Sequence, residues 1–241
     1  MSESTRVAIV TGASGGIGRA TAERLAQDGL TVVVGYSGNP ARAEEAVSAI
    51  TAVGGTASAF KADIADETEA VALFDYAEAQ YGGVDVVVNA AGIMILKSLL
   101  EIDFDRMFRI NVRGTFVVTQ LAARRIRNGG AIINFSSTVP RLASPTYSAY
   151  AATKGAIDAA TLVFAKEMRG RDITVNAVAP GPTATPLFLD GKPQAVIDTI
   201  ARAAPLERLG APTDIAEVVS FLAGPGRWVN GQVIYTNGGL A

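Results

Sequence analysis

Short runs of apolar residues recur along the chain and alternate with longer amphipathic stretches. The short runs are apolar on both faces, which is typical of buried strands in a parallel sheet. They cover residues 7–10, 31–36, 56–63, 84–89, 131–136, 173–180 and 231–236. Helical patterns lie between them, at 16–28, 40–53, 66–81, 103–127, 148–170 and 213–224. Strand alternating with helix predicts an α/β fold, a doubly wound parallel sheet of about seven strands with helices on both faces.

No internal repeat, low-complexity tract or linker interrupts this alternation, so we expect residues 1–241 to form a single domain. The longest irregular stretch is 180–212, which is rich in Pro and Gly. Because long loops at the carboxyl edge of a sheet are often functional, we expect 182–205 to form a lid over the substrate. Its apolar residues would then cover a hydrophobic ketone or an acyl thioester, although a packed loop or a subunit contact is the alternative. These residues are Leu187, Phe188, Leu189, Val196 and Ile197.

Composition excludes several function classes. Apolar residues are 49% of the chain and charged residues 18%, which suits a large packed core, and the net charge is −2. The densest basic cluster is Arg124, Arg125 and Arg127. It is too small to indicate nucleic-acid binding and is most simply a solvated helix end, with a dock for a carrier protein as the alternative.

The chain contains neither cysteine nor histidine. Disulfides, thiol catalysis, the usual base of serine hydrolases and the usual zinc ligands are therefore missing, and we expect no metal site. No apolar run approaches the ~18 residues that a membrane span needs, and the N-terminal sequence does not resemble a secretory signal. We expect a cytoplasmic protein with no membrane segment.

The first predicted strand leads into the sequence TGASGGIGRA at residues 11–20. Gly12, Gly16 and Gly18 lie where the strand turns into the helix. Missing side chains allow a tight turn and let a pyrophosphate approach the helix N-terminus, whose free N–H groups favour an anion. The position within a strand–helix unit supports this interpretation over a turn without a ligand. No Gly-Lys-Ser/Thr follows, so it is not a Walker loop.

Tyr150 and Lys154 are four residues apart on a predicted helix, in the sequence YAATK, and therefore share one face. A free tyrosine titrates near ~10 and is a poor proton donor or base at neutral pH. A cation about one turn away would stabilise the phenolate and lower the tyrosine pKa, which suits proton exchange with a carbonyl or alcohol oxygen. Most such pairs in proteins are ordinary surface contacts, and that alternative stays open on these two residues alone.

Five motifs occur together and in order: TGASGGIG near the N-terminus, NAAG at 89–92, INFSS at 133–137, YAATK at 150–154 and PGPTAT at 180–185. Together they resemble the short-chain dehydrogenase/reductase family, and most of all its 3-oxoacyl-carrier-protein reductase-type members. The resemblance covers essentially the whole chain. It implies a Rossmann-like catalytic domain that binds a nicotinamide dinucleotide and acts on a small-molecule carbonyl substrate. Family members are usually tetramers or dimers, which implies a homotetramer or homodimer with the helices after strands four and five at the interface.

The resemblance also implies a catalytic set of Asn111, Ser137, Tyr150 and Lys154. Ser137 would hold the substrate carbonyl oxygen beside Tyr150, and Lys154 would also bind the nicotinamide ribose. Asn111, in the sequence RINVRGTF, would mark a helix distortion that orders a water for proton relay. The alternative for Asn111 is a buried amide satisfied by the backbone. Tyr147 would line the substrate pocket or only pack there, and Ser136 is expected to be a simple strand-end hydroxyl.

The dinucleotide contacts implied by the resemblance lie in the turns after the strands. Asp63 would contact the adenine amino group, with a helix N-cap role as the alternative, and Thr183 and Thr185 would fix the carboxamide. Ala90 departs from the family, which more often has a second Asn there. The full expected set is Gly12, Ser14, Gly15, Gly16, Ile17, Gly18, Tyr36, Ser37, Asn39, Asp63, Ile64, Asn89, Ala90, Ala91, Gly92, Tyr150, Lys154, Pro180, Gly181, Thr183 and Thr185.

The end of the second strand bears on the choice between NAD and NADP. An NAD site usually places Asp or Glu there, to bind the ribose 2′-hydroxyl. This chain has Tyr36, Ser37 and Asn39, with no carboxylate before Glu44, and Arg42 is placed to reach a phosphate. NADP(H) is therefore favoured over NAD(H), although many relatives that use NADP carry a basic residue where this chain has Gly15.

These observations predict an NADP(H)-dependent oxidoreductase that reduces a ketone or a 3-oxoacyl thioester to an alcohol, with Tyr150 as the acid/base group. One alternative is an NAD(P)-dependent alcohol or sugar dehydrogenase. An alternative from another class is a non-catalytic protein that senses a dinucleotide; the intact Tyr150 and Lys154 argue against it.

Overall fold

The computed structural model describes residues 5–241 and contains a seven-stranded, fully parallel sheet. The strand order is β3-β2-β1-β4-β5-β6-β7, so the chain reverses direction across the sheet between β1 and β4. The strands are β1 (Val7–Thr11), β2 (Thr31–Tyr36), β3 (Ala57–Lys61), β4 (Val84–Asn89), β5 (Ile126–Phe135), β6 (Thr174–Pro180) and β7 (Val233–Thr236). The predicted fold class is confirmed. The largest boundary difference is in β5, which begins at Ile126 rather than at 131, because Ile126 already pairs with Val84 before an irregularity in the register.

Helices cover both faces of the sheet. The longer ones are α1 (Gly16–Gln27), α2 (Pro40–Ala52), α3 (Glu67–Tyr81), α5 (Thr115–Arg125), α7 (Ser148–Glu167), α9 (Gln194–Ala203) and α10 (Pro212–Ala223). The shorter ones are α4 (Phe104–Phe108), α6 (Val139–Leu142) and α8 (Pro186–Leu189). One buried core lies between the sheet and α1, α2 and α10, and a second lies between the opposite face and α3, α5 and α7. Because helices cover both faces, the strand ends at the carboxyl edge are free to form a site.

The predicted helix at 103–127 is not continuous. It consists of α4, a π-helical segment at Arg109–Gly114, and α5. Asn111 lies inside the π-helical segment, where the wider turn changes the backbone hydrogen bonds. The Thr115 hydroxyl donates a hydrogen bond to the Asn111 carbonyl over 2.9 Å. The structure therefore contains a helix distortion at the residue where the family resemblance implied one.

The stretch 180–212 is more ordered than its composition suggested. It contains α8 and α9, so the prediction of an irregular loop was wrong in this part. The Thr185 side chain caps α8 by accepting a hydrogen bond from Phe188 N, and Pro186 occupies its first turn. Two backbone hydrogen bonds, from Ala184 N to Gly210 O (2.8 Å) and from Gly210 N to Pro182 O (2.9 Å), join the two ends of the stretch. Residues 182–205, where a lid was expected, thus form a helical segment, the flap, whose base is joined by these hydrogen bonds.

Two of the three arginines in the cluster at the end of α5 form ion pairs, and Arg124 is exposed. Arg125 binds Asp75 (2.5 Å) and Glu78 (2.6 Å), and Arg127 binds Asp85 (3.1 Å). These ion pairs tie α5 and β5 to α3 and β4. The cluster lies at the amino end of β5, on the side of the sheet opposite to its carboxyl edge. Within one chain, it therefore lies away from that edge and gives no support to a carrier-protein dock there.

Candidate active site

A cleft of about 810 Å³ runs along the carboxyl edge of the sheet. The Gly-rich turn after β1 lines one part of it, and Tyr150, Lys154 and Ser137 line another. Helices α8 and α9 cover the far end through Leu187, Phe188 and Ile200. The turns that follow separate strands thus form one continuous cavity, as expected for an open parallel sheet.

The Gly-rich turn is packed too closely for larger side chains. Gly12 (φ +67°) and Gly16 (φ +54°) adopt left-handed conformations that favour glycine. A Cβ on Gly12 would lie 2.7 Å from Ala91 N, and one on Gly18 would overlap Gly12 O. Gly15 faces open space, with no heavy atom within 4 Å of an added Cβ. The turn therefore packs closely at Gly12 and Gly18. The N-terminal end of α1 stays accessible from the cleft, which Ser14 and Ile17 also line.

The turn after β2 forms the end of the cleft. Tyr36, Ser37, Asn39 and Arg42 line it, as predicted for the first three. The Asn39 side chain caps α2 by accepting a hydrogen bond from Arg42 N over 3.2 Å. Arg42 is exposed and forms no ion pair among residues 5–241. Its guanidinium is thus available to an anionic ligand at this end.

Asp63 and Ile64 line the cleft after β3. The Asp63 carboxylate accepts hydrogen bonds from Ala65 N (3.0 Å) and from Arg109 Nη2 (2.8 Å). Burial alone would raise the Asp63 pKa, but these two hydrogen bonds and the Arg109 charge hold it below its usual value. The N-cap of α3 is Asp66, so the alternative of an N-cap role for Asp63 is wrong.

Asn89 does not line the cleft, although its neighbours Ala90, Ala91 and Gly92 do. Its side chain is 2% exposed and donates hydrogen bonds to Asn134 Oδ1 (2.8 Å) and Thr119 Oγ1 (3.3 Å). Alternation along β4 turns residue 89 towards α5, on the same face as the buried Val87. The expected contact of the Asn89 side chain with a dinucleotide is therefore not supported by its position.

Tyr150 and Lys154 lie in the first two turns of α7, and both face the cleft. Lys154 is 6% exposed; its Nζ donates a hydrogen bond to Phe135 O over 2.8 Å and lies 5.7 Å from the centre of the Tyr150 ring. Burial lowers the pKa of Lys154 to about 8, although the Asp158 charge raises it. The lysine is therefore close to its titration range at physiological pH.

Burial also has the largest effect on the pKa of Tyr150, which it raises to about 12. A hydrogen bond to Ser137 acts to lower this pKa, and the neighbouring Tyr147 acts to raise it. The expected decrease of this pKa by Lys154 is not what the geometry gives. The cause is desolvation, which disfavours the phenolate more than the surrounding groups favour it. The phenol is thus held in its protonated form.

Ser137 is 8% exposed and lies on the cleft wall at the end of β5, where its Oγ accepts a hydrogen bond from Val139 N over 3.2 Å. Asn111 is fully buried behind that wall. Its amide exchanges hydrogen bonds with Ile93 N (2.9 Å) and Ile93 O (2.8 Å) and donates to Thr153 Oγ1 (3.2 Å). The amide therefore joins the segment after β4 to α7, and its bonds to the Ile93 main chain agree with the alternative of an amide satisfied by the backbone.

The turn after β6 supplies Pro180, Gly181, Thr183 and Thr185 to the cleft, as predicted. Thr183 Oγ1 donates to Gly181 O over 2.9 Å, which tightens this turn. The Thr185 hydroxyl lies at the cap of α8, so the same residue lines the cleft and starts the flap.

A family model described as "Enoyl-(Acyl carrier protein) reductase" matches residues 12–241. The chain belongs to the short-chain dehydrogenase/reductase (SDR) family of oxidoreductases. It is 43% identical to a "Short-chain type dehydrogenase/reductase" of Picea abies, over 97% of this chain and 92% of the relative. It is 40% identical to an Arabidopsis thaliana protein named "NADPH-dependent aldehyde reductase-like protein, chloroplastic", over 97% of this chain and 93% of that one.

Solved SDR structures have the same fold. The angucycline C-6 ketoreductase LanV, crystallised with bound NADP, superposes with a TM-score of 0.92 at 36% identity, over 98% of this chain and 96% of that one. The resemblance noted from the motifs is thereby confirmed. No helix within residues 5–241 of this SDR is both long and apolar enough to span a membrane.

The cleft fits a dinucleotide. The glycine turn has no room for a side chain at Gly12 or Gly18. The residues at the start of α1, whose main-chain N–H groups would suit a phosphate, line the cleft. At Gly92, an added Cβ would lie 3.3 Å from Asn111 Oδ1 and 3.8 Å from Lys154 Nζ, so glycine keeps the floor open beside the lysine. A metal is not suggested: the described part of the chain has no cluster of three or more His, Cys, Asp or Glu side chains that could hold one.

Several residues of the substrate half carry no motif and were missed from the sequence. They are Ile93, Met94, Val139, Leu142, Ser144, Ile200, Ala203 and Leu240. Of the apolar lid residues expected there, Leu187 and Phe188 line the cleft, whereas Leu189, Val196 and Ile197 do not. The helical spacing from Val196 to Ile200 was a usable signal, because it marks one face of α9. Tyr147 does line the cleft.

Proposed function

We propose that this SDR reduces a carbonyl group to an alcohol with NADP(H), through Tyr150, Ser137 and Lys154. The observation that carries the proposal is that these three polar side chains line the same cleft as the glycine turn. A bound nicotinamide would supply the hydride. The glycine turn, Asp63, the small residues after β4 and the turn after β6 would hold the dinucleotide, and the Asn89 side chain would act only as support beneath them.

Tyr150 is the proton donor in this proposal. Because burial keeps its pKa near 12, its Oη carries a proton at neutral pH and can give it to the developing alkoxide. The Ser137 hydroxyl lies within hydrogen-bond reach of the same phenol and would orient the carbonyl oxygen. A protonated donor suits reduction better than alcohol oxidation, which needs the phenolate as a base.

Lys154 would restore the proton and stabilise the transient phenolate. Its pKa near 8 leaves most of the amine as ammonium at pH 7, next to the Tyr150 ring. The Asn111 amide holds the neighbouring chain at Ile93 and Thr153, so its contribution would be to fix α7 and the segment after β4. The π-helical backbone at Asn111 supports the expected water relay there, which we retain as part of the proposal.

The preference for NADP(H) rests on the turn after β2. No acidic side chain from that turn lines the cleft, whereas the unpaired Arg42 and the hydroxyl of Ser37 do. Arginine binds phosphate through charge-assisted, often bidentate hydrogen bonds. Relatives named as NADPH-dependent, and a neighbour solved with bound NADP, support the same choice.

The substrate half is lined by many apolar side chains and, apart from Lys154, by no charged one in the described part of the chain, which supports a ketone or aldehyde with a hydrophobic body. Its apolar lining includes Leu142, Leu187, Phe188, Ile200 and Leu240. Among residues 5–241, the charged side chains that line the whole cleft are those of Arg42, Asp63 and Lys154. A 3-oxoacyl thioester stays within this class through its acyl chain. A sugar would find few polar partners here, so the sugar dehydrogenase alternative is less favoured.

The outer faces of α5 and α7 support a homodimer or homotetramer. Phe116 (41% exposed), Leu162 (48%) and Val163 (51%) leave apolar surface there, and Phe116 packs edge-on against Phe164 with ring centres 5.0 Å apart. A second copy would cover such surface. Light scattering of the purified protein measures the assembly directly; a monomer at micromolar concentration would contradict this part.

The test is absorbance of reduced nicotinamide, with NADPH and NADH in parallel, against a panel of hydrophobic ketones, aldehydes, sugars and a 3-oxoacyl thioester. We expect turnover with NADPH on the hydrophobic carbonyls. Saturable NADPH binding with no turnover on the whole panel would overturn the catalytic proposal in favour of a dinucleotide sensor.

A further inference from the structure

A third polar side chain follows Tyr150 and Lys154 along the same face of α7. Asp158 lies one helical turn beyond Lys154, as Lys154 lies one turn beyond Tyr150. Tyr150 and Lys154 line the cleft, whereas Asp158 does not. It is thus placed behind the lysine, on the side away from the substrate, where it can act only through another residue.

The Asp158 side chain is half-buried, and one of its carboxylate oxygens is enclosed. That oxygen, Oδ1, has no hydrogen-bond partner in the structure. A buried acceptor without a partner is costly, so it calls for a compensating interaction. Burial raises the pKa of Asp158, and the charges of Lys154 on the same helix and of Arg141 on α6 act in the opposite direction.

Ser136 lies beside this part of the catalytic helix. The residue is 3% exposed, and its hydroxyl donates a hydrogen bond to Lys154 O over 3.3 Å. The same hydroxyl acts to lower the pKa of Asp158. Ser136, expected from sequence to be a simple strand-end hydroxyl, is therefore a polar neighbour of both Lys154 and Asp158.

Lys154 needs such a counter-charge. Its Nζ is buried and donates to the neutral Phe135 O, with no carboxylate within ion-pair distance in the described chain. Burial disfavours the ammonium form, and among the charged groups around it Asp158 is the one that favours that form. Arg141 lies over the Tyr235 ring of β7, 3.6 Å from its centre, and carries the same sign of charge as Lys154, so it cannot serve as the counter-charge.

We propose that Asp158 is a positioning residue that keeps Lys154 in its ammonium form behind Tyr150. It touches neither substrate nor cofactor and acts through the lysine. The inference rests on the proposed function only for its effect on turnover, because the protonation of Lys154 is measurable in the protein without any substrate.

The first test is a titration of Lys154 by NMR in protein labelled at the lysine side chains, with the resonance assigned from its loss in Lys154→Met. In Asp158→Asn, which keeps the size of the side chain, we expect the Lys154 midpoint to move to lower pH by about one unit, the size expected for one charge a helical turn away. Glu167→Gln removes the same charge from the exposed end of the same helix and serves as the matched control, with no shift expected. An unchanged midpoint in Asp158→Asn overturns the proposal.

The second test is the pH profile of kcat with NADPH. The folded enzyme loses the ammonium as the pH rises through the Lys154 pKa, so the alkaline limb should move to lower pH in Asp158→Asn. Activity at pH 8.5 would then fall by about tenfold relative to the parent, with little change at pH 6.5. Asp158→Glu restores the charge and should restore the limb. A uniform loss at all pH values, with the NMR midpoint unmoved, would indicate a structural role only. If no carbonyl is reduced, the titration still decides this inference while the proposed function fails.

Discussion

The two halves of the cleft are built in different ways. The dinucleotide half consists largely of main chain: the glycine turn after β1, the small residues after β4 and the turn after β6, all fixed to the sheet. The substrate half consists largely of side chains on the short helices α6 and α8 and on α9, and no residue of α8 or α9 is buried. The first half leaves little freedom in sequence, whereas the second can change residue by residue without disturbing the sheet.

Under the proposed function, this difference separates the part that would bind the cofactor from the part that would select the substrate. Main-chain N–H groups at a helix N-terminus can bind a phosphate, and a Cβ added at Gly12 or Gly18 would fill the turn that presents them. Apolar side chains recognise a hydrophobic body by area and shape, which many residues can supply. Tyr150, Lys154 and Ser137 lie at the boundary, where both ligands would meet.

The largest effect is expected at that boundary. Tyr150→Phe removes the proton donor and should lower kcat by about 10²–10⁴-fold, while NADPH binding, measured by fluorescence titration, stays within about twofold. Tyr147→Phe removes a hydroxyl from the neighbouring tyrosine of the cleft and is the control, with an effect of less than about tenfold. Parent-level kcat in Tyr150→Phe would contradict the assignment of the donor.

The next effect tests the dinucleotide half. Gly18→Ala places a Cβ against Gly12 O, so the turn must open. We expect a loss of about 1–3 kcal/mol in the free energy of unfolding and at least a tenfold weaker affinity for NADPH, measured by urea denaturation and calorimetry. Gly155→Ala is the control, because its added Cβ meets no heavy atom within 4 Å and its helix should gain slightly. Equal behaviour of the two variants would show that the turn is not closely packed in solution.

The same contrast explains what sequence could predict. The sheet, its order of alternation with helices and most of the dinucleotide turns were visible, because glycines and strand patterns leave few alternatives. For Asn89, the motif gives the position but not the face of the strand, and alternation turns that side chain towards Thr119. The helices α8 and α9 were not predicted because the Pro and Gly residues between 180 and 212 indicated a loop. The N-cap of α8 at Thr185 and the short apolar repeat of α9 were the signals that this composition outweighed.

The pKa of Tyr150 could not be predicted from the sequence motif either. Spacing alone put the Lys154 charge near the phenol, and an opposite charge nearby lowers such a pKa. Both groups are enclosed by α7, β5 and the cleft wall, so desolvation is the larger contribution. It raises the pKa of Tyr150 and lowers the pKa of Lys154. Burial depends on the whole fold and cannot be derived from the five residues of YAATK.

A smaller effect is expected where the dinucleotide half uses a side chain. Arg42→Ala removes the unpaired cation at the end of the cleft and should raise the KM for NADPH by about tenfold to a hundredfold, with little change for NADH. The ratio of kcat/KM for the two cofactors is the measurement. Lys166→Ala removes an exposed cation from α7 and should leave the ratio unchanged. An unaltered ratio in Arg42→Ala would remove the main structural support for NADP(H).

The smallest effect should come from the substrate half, because many side chains share the contact there. Phe188→Ala removes one apolar wall of the cleft, and we expect kcat/KM for a bulky hydrophobic ketone to fall about fivefold while a small ketone changes less than twofold. Leu189→Ala truncates the next residue of the same helix, which does not line the cleft, and should change neither value. If small and bulky ketones suffered equally, Phe188 would act by holding the flap over the site rather than by contacting the substrate, and the substrate half would resemble the dinucleotide half in depending on a fixed framework.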